Sequence, residues 1–464
     1  MEEIIAHLLA EMAKKICEMT FSSDWSGIGE LTERLKDECL TTEKAILEEC
    51  LRNINRAFRE SKSKRKEMGL VLQEKERNRE ILTSLGLIDV SRDCYFDKQN
   101  DTYVYPLDEL LQIEKYERVD SGVKARLVWE ACGESYQKSA EHVTEGAVSR
   151  QTVRNAIISC DAEIEQQTFE KKRRARALHI HADEDHVHLQ KPQKRKGKSN
   201  QTVPLVTVTE GSQAVSARRN ETIRPMHFVD EDFDSGRLWK SVEGYLMEAY
   251  DMKEVEKIYL HADGGTWIRK GLCDYPNVIP VMDGYHAEKE IRRIDGLFPK
   301  KNVAQRLRSI LRRNEPEKAR ILIDSLESGL KDPSQQEKLT AFACYLKNNW
   351  DALARRYQGD LPGSCTEGLV SHVLSERFSR NPMGWSREVL GKLSKVRVFR
   401  LNGGNKKELF TAKPHNDRFA KCYEEYLSGT LAEKLDWSIF EKPLPVFDTG
   451  SGTQRLLRMI GQAG

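Results

Sequence analysis

The ten residues HIHADEDHVH, 179–188, hold four histidines and three carboxylates, a density that reads as a metal site. A β-strand alternates its side chains, so His179, His181, Asp183 and Asp185 would share one face and Glu184, His186 and His188 the other. Only one of these sets can face a covered site. The triplet His-Ala-Asp returns at 261–263 in YLHADGG, where two glycines allow a sharp turn beside Asp263. Phosphodiester cleavage and transfer need a charge clamp on the attacking and the leaving oxygen. Two hard cations about 3.5–4 Å apart supply it when acids from separate elements hold them. A third acid is expected from a helix starting at about Thr366, where Glu367 and Glu376 compete. They are separated by about 900° of helical rotation, so only one of them can face a sheet.

The surroundings suit a polyanionic substrate. KKRRAR (171–176) and KPQKRKGKSN (191–200) bracket the acidic stretch, each with five basic side chains. Lys171, Lys172, Arg173, Arg174, Lys194, Arg195 and Lys196 become candidate phosphate contacts, against the plainer reading of solvated loops. SYQKSAEHVTEGAVSRQTVRNAI (135–157) has helix-turn-helix layout, with Ser149 as the expected cap of the second helix. That helix would offer Arg150, Gln151, Thr152, Arg154 and Asn155 to a major groove; helical packing alone has the same spacing. SKSKRK (61–66) is a further basic cluster, read first as a solvated helix face. The whole chain is nearly neutral, at +2 from 75 basic and 73 acidic residues, so partners must be sought in such patches.

At 464 residues the chain should form two or three domains. Residues 1–80 read as helical, from Ile4, Ile5, Leu8, Leu9, Met12 and Ile16 through a long charged segment. From Leu82 short β-like runs follow, with a turn at KQND, and then the helix-turn-helix, giving a region 81–170. ALHIHADEDHVHLQ, TVPLVTVTEG and ETIRPMHFVD read as three strands. A helix near Asp234–Ser235, a strand at 256–263, a helix and a strand at 277–283 come next. This order gives a mixed sheet covered by helices over 171–290. An all-helical insertion (291–360), a last core helix (361–400) and a tail (401–464) complete the chain. The acids of VDEDFDSG (230, 231, 232 and 234) suit a capping, solvated loop. Trp267 and Trp385 suit core packing better than base stacking. The ten cysteines are scattered, with no pair at metal-knuckle or redox spacing. The N-terminal run IIAHLLA is too short to cross a bilayer, so a cytoplasmic protein is expected.

Several of these stretches together, YVYPLDELL (103–111), the helix ending in SRQTV, HADEDHVHLQ, HADGGTWI, VMDGYHAEK and TEGLVSHVLSERFSRNPMGWS, resemble the ISLre-type bacterial insertion-sequence transposases. These are part of the DDE superfamily and related to Mutator-like transposases, and the resemblance covers most of the chain. It implies a ribonuclease H-like mixed sheet with an all-helical insertion, in which the strands of Asp183 and Asp263 are neighbours. The implied catalytic and metal-binding triad is Asp183, Asp263 and Glu367, holding two Mg2+ or Mn2+ ions. Asp283 and His286 would support it, with Asp185 as a reserve ligand. The implied partners are the element's terminal inverted repeats and target DNA, bound by a homo-oligomer at the bacterial nucleoid, with no membrane. The histidines around Asp183 depart from the family pattern. Two other readings stand beside this one: a transposase-derived DNA-binding protein without catalysis, and a zinc hydrolase using His179, His181, His186 and His188.

Overall fold

The computed structural model describes residues 2–22, 24–160, 171–190, 199–216, 219–269, 271, 275–359, 361, 365–381, 383–410 and 419. It divides into two compact units, Met1–Val123 with Ala412–Gly464, and Lys124–Thr411. Among the described residues no helix is long and apolar enough to cross a membrane.

The first unit begins with α1 (Glu2–Phe21), α2 (Ile28–Glu60) and α3 (Lys62–Glu67). Next come β1 (Leu70–Thr83), β2 (Gly86–Asp97), β3 (Thr102–Val104) and α4 (Pro106–Leu110), the three strands forming one antiparallel sheet. Residues 70–80 are therefore strand, where the sequence reads as helix. The reason is positional: β1 is a sheet edge and Gln73 to Asn78 are all exposed, so no apolar alternation marks it. Its apolar anchors lie at the ends, Leu70 against Phe58 and Tyr95, and Ile81 against Leu51, Val90 and Leu107. The turn expected at KQND joins β2 to β3.

The second unit opens within α5 (Ser121–Ala131) and continues with α6 (Tyr136–Thr144) and α7 (Arg150–Ile158). Between α6 and α7 the chain turns through Glu145 and Gly146, both at positive φ, and the Ser149 hydroxyl accepts from the Thr152 amide at 3.2 Å. The expected cap is in place. The last carbonyls of α5 are held by buried or half-buried arginines: Arg400 binds Trp129, Arg377 binds Ala131 and Arg397 binds Cys132, at 2.6–2.8 Å. These helices thus belong to the same compact unit as the sheet that follows.

That sheet uses β4 (Ala177–His188), β5 (Asn200–Thr209), β8 (Met226–Phe228), β9 (Lys257–Ala262) and β10 (Val278–Met282). A small hairpin, β6 (Ser212–Ser216) and β7 (Arg219–Thr222), stands between β5 and β8. The strand order is β10-β9-β4-β5-β8, with β4, β5 and β8 antiparallel in sequence and β9 and β10 added parallel to β4. The fold is mixed α/β with a mixed sheet, as the element order predicts.

Alternation sorts the two faces. Leu178, Ile180 and Ala182 of β4 join Ile258 and Leu260 of β9 against Leu238, Val242 and Leu246 of α8 (Ser235–Ala249), whose Asp234 cap accepts from Arg237 N at 2.9 Å. The odd-numbered residues of both strands therefore face away from α8. After α9 (Thr266–Arg269) and β10 come α10 (Gly284–Asp295), α11 (Val303–Arg313), α12 (Pro316–Glu327), α13 (Pro333–Asn348) and α14 (Trp350–Gln358). They share a core of Ala287, Ile291, Leu307, Leu311, Leu322, Phe342 and Leu353, joined to the sheet through Met282. The helical insertion is thus packed onto the end of β10. Then follow α15 (Thr366–Val370), one π-helical turn (Ser371–Ser375), α16 (Glu376–Phe378) and α17 (Arg387–Leu401).

Candidate metal centre

The two His-Ala-Asp triplets meet. His181 and His261 are register partners on parallel β4 and β9, so Asp183, in the middle of β4, and Asp263, just past the end of β9, come to the same face. The carboxylates of Asp183 and Asp263 and the imidazole of His286 each contribute a ligand atom to a group lying within 4.8 Å of one another. Backbone geometry sets the second position: Gly264 sits at φ +90°, and the Gly265 amide donates to Asp263 Oδ1 at 2.8 Å.

His286 arrives on the first turn of α10. Asp283 caps that helix, accepting from the amides of Tyr285 and His286 at 2.9 and 3.2 Å, and its carboxylate lies 3.3 Å from His286 Nδ1. The contact with Asp283 pushes the His286 pKa up, with Asp183 and Asp263 adding to the effect against burial. Asp183 is almost fully buried, and burial raises its carboxyl to about 6, with Asp263 and Asp283 adding repulsion. A divalent cation would relieve that crowding, and two carboxylate oxygens with one imidazole make a ligand set for one. The residues present therefore fit such an ion.

Glu367 stands apart from this group. It is exposed at the start of α15, while its neighbour Thr366 is buried with Oγ1 3.1 Å from His181 Nδ1. The helix start is thus docked on β4, with Glu367 exposed beside it. Glu376 is tied up elsewhere, 3.2 Å from Arg397. The π-helical turn directly after Val370 is a local irregularity of a kind that gathers at functional sites.

The histidines divide as alternation requires. His179 and His181 are buried, His186 and His188 exposed on the opposite face, so the four cannot share one zinc ion. His179, His261 and His181 instead form a row of near-parallel rings, with centroids 5.3 and 4.6 Å apart and His179 Nδ1 3.0 Å from His261 Nε2. Burial pushes all three pKa values down, that of His181 to about 3. Neutral stacked rings are packing between β4 and β9. Local sequence pattern gives His261 no role of its own, although the repeated triplet contains it.

The remaining expected residues divide between solvent and the fold. Asp185 is buried on the Asp183 face, and its Oδ2 has no hydrogen-bond partner among the described residues. Glu184 accepts from Trp267 Nε1 at 2.6 Å, and Trp385 is buried with its Nε1 donating to Phe378 O at 3.0 Å. Arg150, Gln151 and Asn155 are exposed on α7, with Gln151 donating to Asn155 at 2.9 Å; Thr152 and Arg154 are half-buried. Lys171, Lys172 and Arg174 are exposed. Arg173 is committed to the fold: its guanidinium lies 4.6 Å from the Tyr250 ring centroid and 3.4 Å from Glu210. Lys194, Arg195 and Lys196, and most of the 401–464 tail, lie outside the described residues. Asp230 and Asp232 pair with Arg237, as a solvated capping loop would.

The sequence profile of an uncharacterised protein family, UPF0236, matches residues 21–413. The chain belongs to UPF0236. Similar family proteins occur in Caldanaerobacter subterraneus subsp. tengcongensis. One, whose name joins eleven locus designations, is 34% identical over 392 residues, covering 84% of this chain and 79% of the relative. Another, with four designations in its name, is 32% identical over 392 residues, covering 84% and 81%. A UPF0236 protein named for the vanSb 3′ region of Streptococcus gallolyticus is 24% identical over 307 residues, covering 62% and 65%. The UPF0236 match thus spans Asp183, Asp263 and His286, helices α6 and α7, and helices α10–α14 alike.

Proposed function

We propose that this protein is a DNA transposase of the DDE type, cutting and joining the ends of a mobile element. The observation that carries the reading is the meeting of Asp183 and Asp263 on adjacent parallel strands of a sheet ordered β10-β9-β4-β5-β8. Three antiparallel strands followed by two parallel ones beside the first is the order of a ribonuclease H-like sheet. That fold is part of the proposal.

Asp183, Asp263 and His286 would hold a divalent ion, and Glu367, beside the docked Thr366, would reach a second one when α15 turns toward the site. Bound there, such ions activate water or a 3′-hydroxyl and steady the leaving oxygen. Asp283 would orient His286, and the buried histidine row would keep the two strands level. The α7 residues Arg150, Gln151, Arg154 and Asn155 would read the element's ends, with Lys171, Lys172 and Arg174 on nearby phosphates. Names joining eleven and four locus designations in one genome suit a sequence that copies itself.

The test is cleavage of duplex DNA spanning the junction between the encoding element and its flank, with purified protein and Mg2+. Wild type should nick at the junction, and Asp183→Asn should abolish nicking without loss of binding. Nicking by the Asn variant sinks the reading. The exposed Glu367 favours one alternative, a transposase-derived DNA-binding protein without catalysis; it predicts binding but no metal-dependent nicking by wild type.

A further inference from the structure

We infer that the outer face of α11, with the loop before it, is a second, sequence-independent docking surface for the backbone of duplex DNA. The inference extends the transposase reading but does not need its chemistry. From Gly284 to Arg313 the chain carries nine basic and three acidic residues. All three acids are engaged: Glu288 with Arg308 at 2.6 Å, Glu290 with Arg293 at 3.0 Å, and Asp295 with the Ala304 amide at 2.9 Å. In contrast, Lys300, Arg306, Arg312 and Arg313 are exposed and have no ion-pair partner among the described residues. The rest of the insertion, 314–358, balances seven bases with seven acids.

Helix α11 buries Val303, Ala304, Leu307 and Leu311, which turns Gln305, Arg306, Ser309, Arg312 and Arg313 toward the opposite side. Every polar side chain on that stripe is a hydrogen-bond donor, and none is acidic. The plainer account is that cations complement the negative end of the helix dipole. It covers Arg312 and Arg313 in the last turn. It fails for Lys300, Lys301 and Arg306, which crowd the positive end, where the dipole and mutual repulsion both oppose them. Retaining three cations at the unfavourable end points to a polyanion that offsets the cost.

The surface is coupled to the metal centre. Helix α10 starts at Asp283 and His286 and leads into α11, and the two helices share the core of Ile291, Leu307 and Leu311. Twelve residues of α10 span about 18 Å, which sets the Lys300–Lys301 loop roughly five base-pair steps of about 3.4 Å from the centre. Helix α11 packs back along α10, with Arg308 on Glu288, two residues past His286. A duplex cut at the metal centre would therefore lie along α11 toward that loop. Arginine side chains there would hold the flank in register without reading its sequence.

The experiment uses the full chain in chelator, which removes any cleavage from the readout, and a random-sequence 40-base-pair duplex as probe. Affinity is measured by anisotropy from 50 to 200 mM salt. R306Q/R312Q/R313Q, and separately the loop variant K300Q/K301Q, should each flatten the slope of log K against log salt by about 0.9 for every phosphate that the variant no longer neutralises. Affinity of the triple variant at 100 mM salt should fall about tenfold or more, equally for random and element-end DNA. R306K/R312K/R313K should keep the wild-type slope. An unchanged slope in both Gln variants overturns the inference. So does wild-type protein that prefers polyglutamate to duplex DNA, which would make the partner an acidic protein. If the slopes change as expected but no Mg2+-dependent nicking is found, the docking surface stands and the catalytic reading falls.

Discussion

His181 and His261 are register partners on neighbouring parallel strands, and their rings stack at 4.6 Å with 11° between the planes. The repeated His-Ala-Asp is thereby a single device: stacked imidazoles level two strands, and the carboxylates two residues on emerge side by side. Because the rings are buried and neutral, they make folding sensitive to acid.

Burial holds His181 at about 3 and His227 at about 4, and His261 well below its usual value. An unfolded chain takes up these protons near pH 6.5, so stability present above that pH is lost as pH falls from about 6.5 toward the folded values of about 4 and about 3. Each histidine contributes up to about 1.4 kcal/mol per pH unit. Asp183, raised to about 6 by burial, works against one of the three, since the folded form keeps a proton the unfolded form releases. His286, whose pKa Asp283 pushes up, opposes the loss in the same sense as Asp183. The net expectation is a loss of stability on acidification, read as a falling urea midpoint between pH 6.5 and 5. A midpoint that holds or rises on acidification contradicts the buried neutral row.

Asp183 should be a stability liability in the metal-free protein. Its raised pKa means that ionisation is penalised above pH 6, and the penalty vanishes below about pH 4, where the carboxyl is neutral in both states. In chelator at pH 7.5, Asp183→Asn should raise stability by roughly 1–3 kcal/mol, and the gain should disappear at pH 4. Millimolar Mg2+ should then raise the melting temperature of wild type and leave the variant unmoved. Equal metal response in both proteins would remove Asp183 from the ligand set.

The extent to which the site is legible from sequence follows from where each signal resides. Strand alternation separates Asp183 from His186, and the Gly264 turn marks Asp263, because both are local backbone rules. The Ser149 cap is legible for the same reason. β1 is hidden because its exposed edge residues carry charges that mimic a helix face. The role of His261 needs the register of β9 on β4, a contact across 80 residues that no local pattern encodes. His286 lies with Asp183 and Asp263 because the Asp283 cap sets the entry of α10, a geometry that no local pattern encodes.

Trp267 should act as a strap on the loop that carries Asp263. Its indole N–H donates to Glu184 Oε2 at 2.6 Å, which ties the chain after Gly264 and Gly265 to the residue next to Asp183. Trp267→Phe keeps the packing but removes that bond, worth about 1.5–3 kcal/mol to a charged acceptor. Metal affinity, measured by Mn2+ titration, should weaken several-fold, and the urea midpoint should fall with the lost bond. Glu184→Gln in the otherwise wild-type chain retains an acceptor and should keep most of the affinity. If Trp267→Phe binds Mn2+ as tightly as wild type, the two loops are held level without it.

The two candidate glutamates should separate cleanly by assay. Glu376 pairs with Arg397, a buried side chain whose guanidinium also binds the carbonyls of Val373 and Cys132 at 2.6 Å. Glu376→Gln weakens a half-exposed pair inside that network, so it should cost at most about 1 kcal/mol of stability and leave nicking within about threefold of wild type. Glu367 makes no such bond among the described residues, and it follows Thr366, which is fixed against His181. Glu367→Gln should leave stability unchanged and, if α15 completes a two-ion site, should reduce nicking by at least about 10²-fold, the scale of losing a transition-state charge contact. Single-turnover nicking with saturating Mg2+ measures both variants side by side. A Glu367→Gln protein that nicks at the wild-type rate would leave Asp183, Asp263 and His286 as the whole centre, and a single bound ion would then have to serve both oxygens.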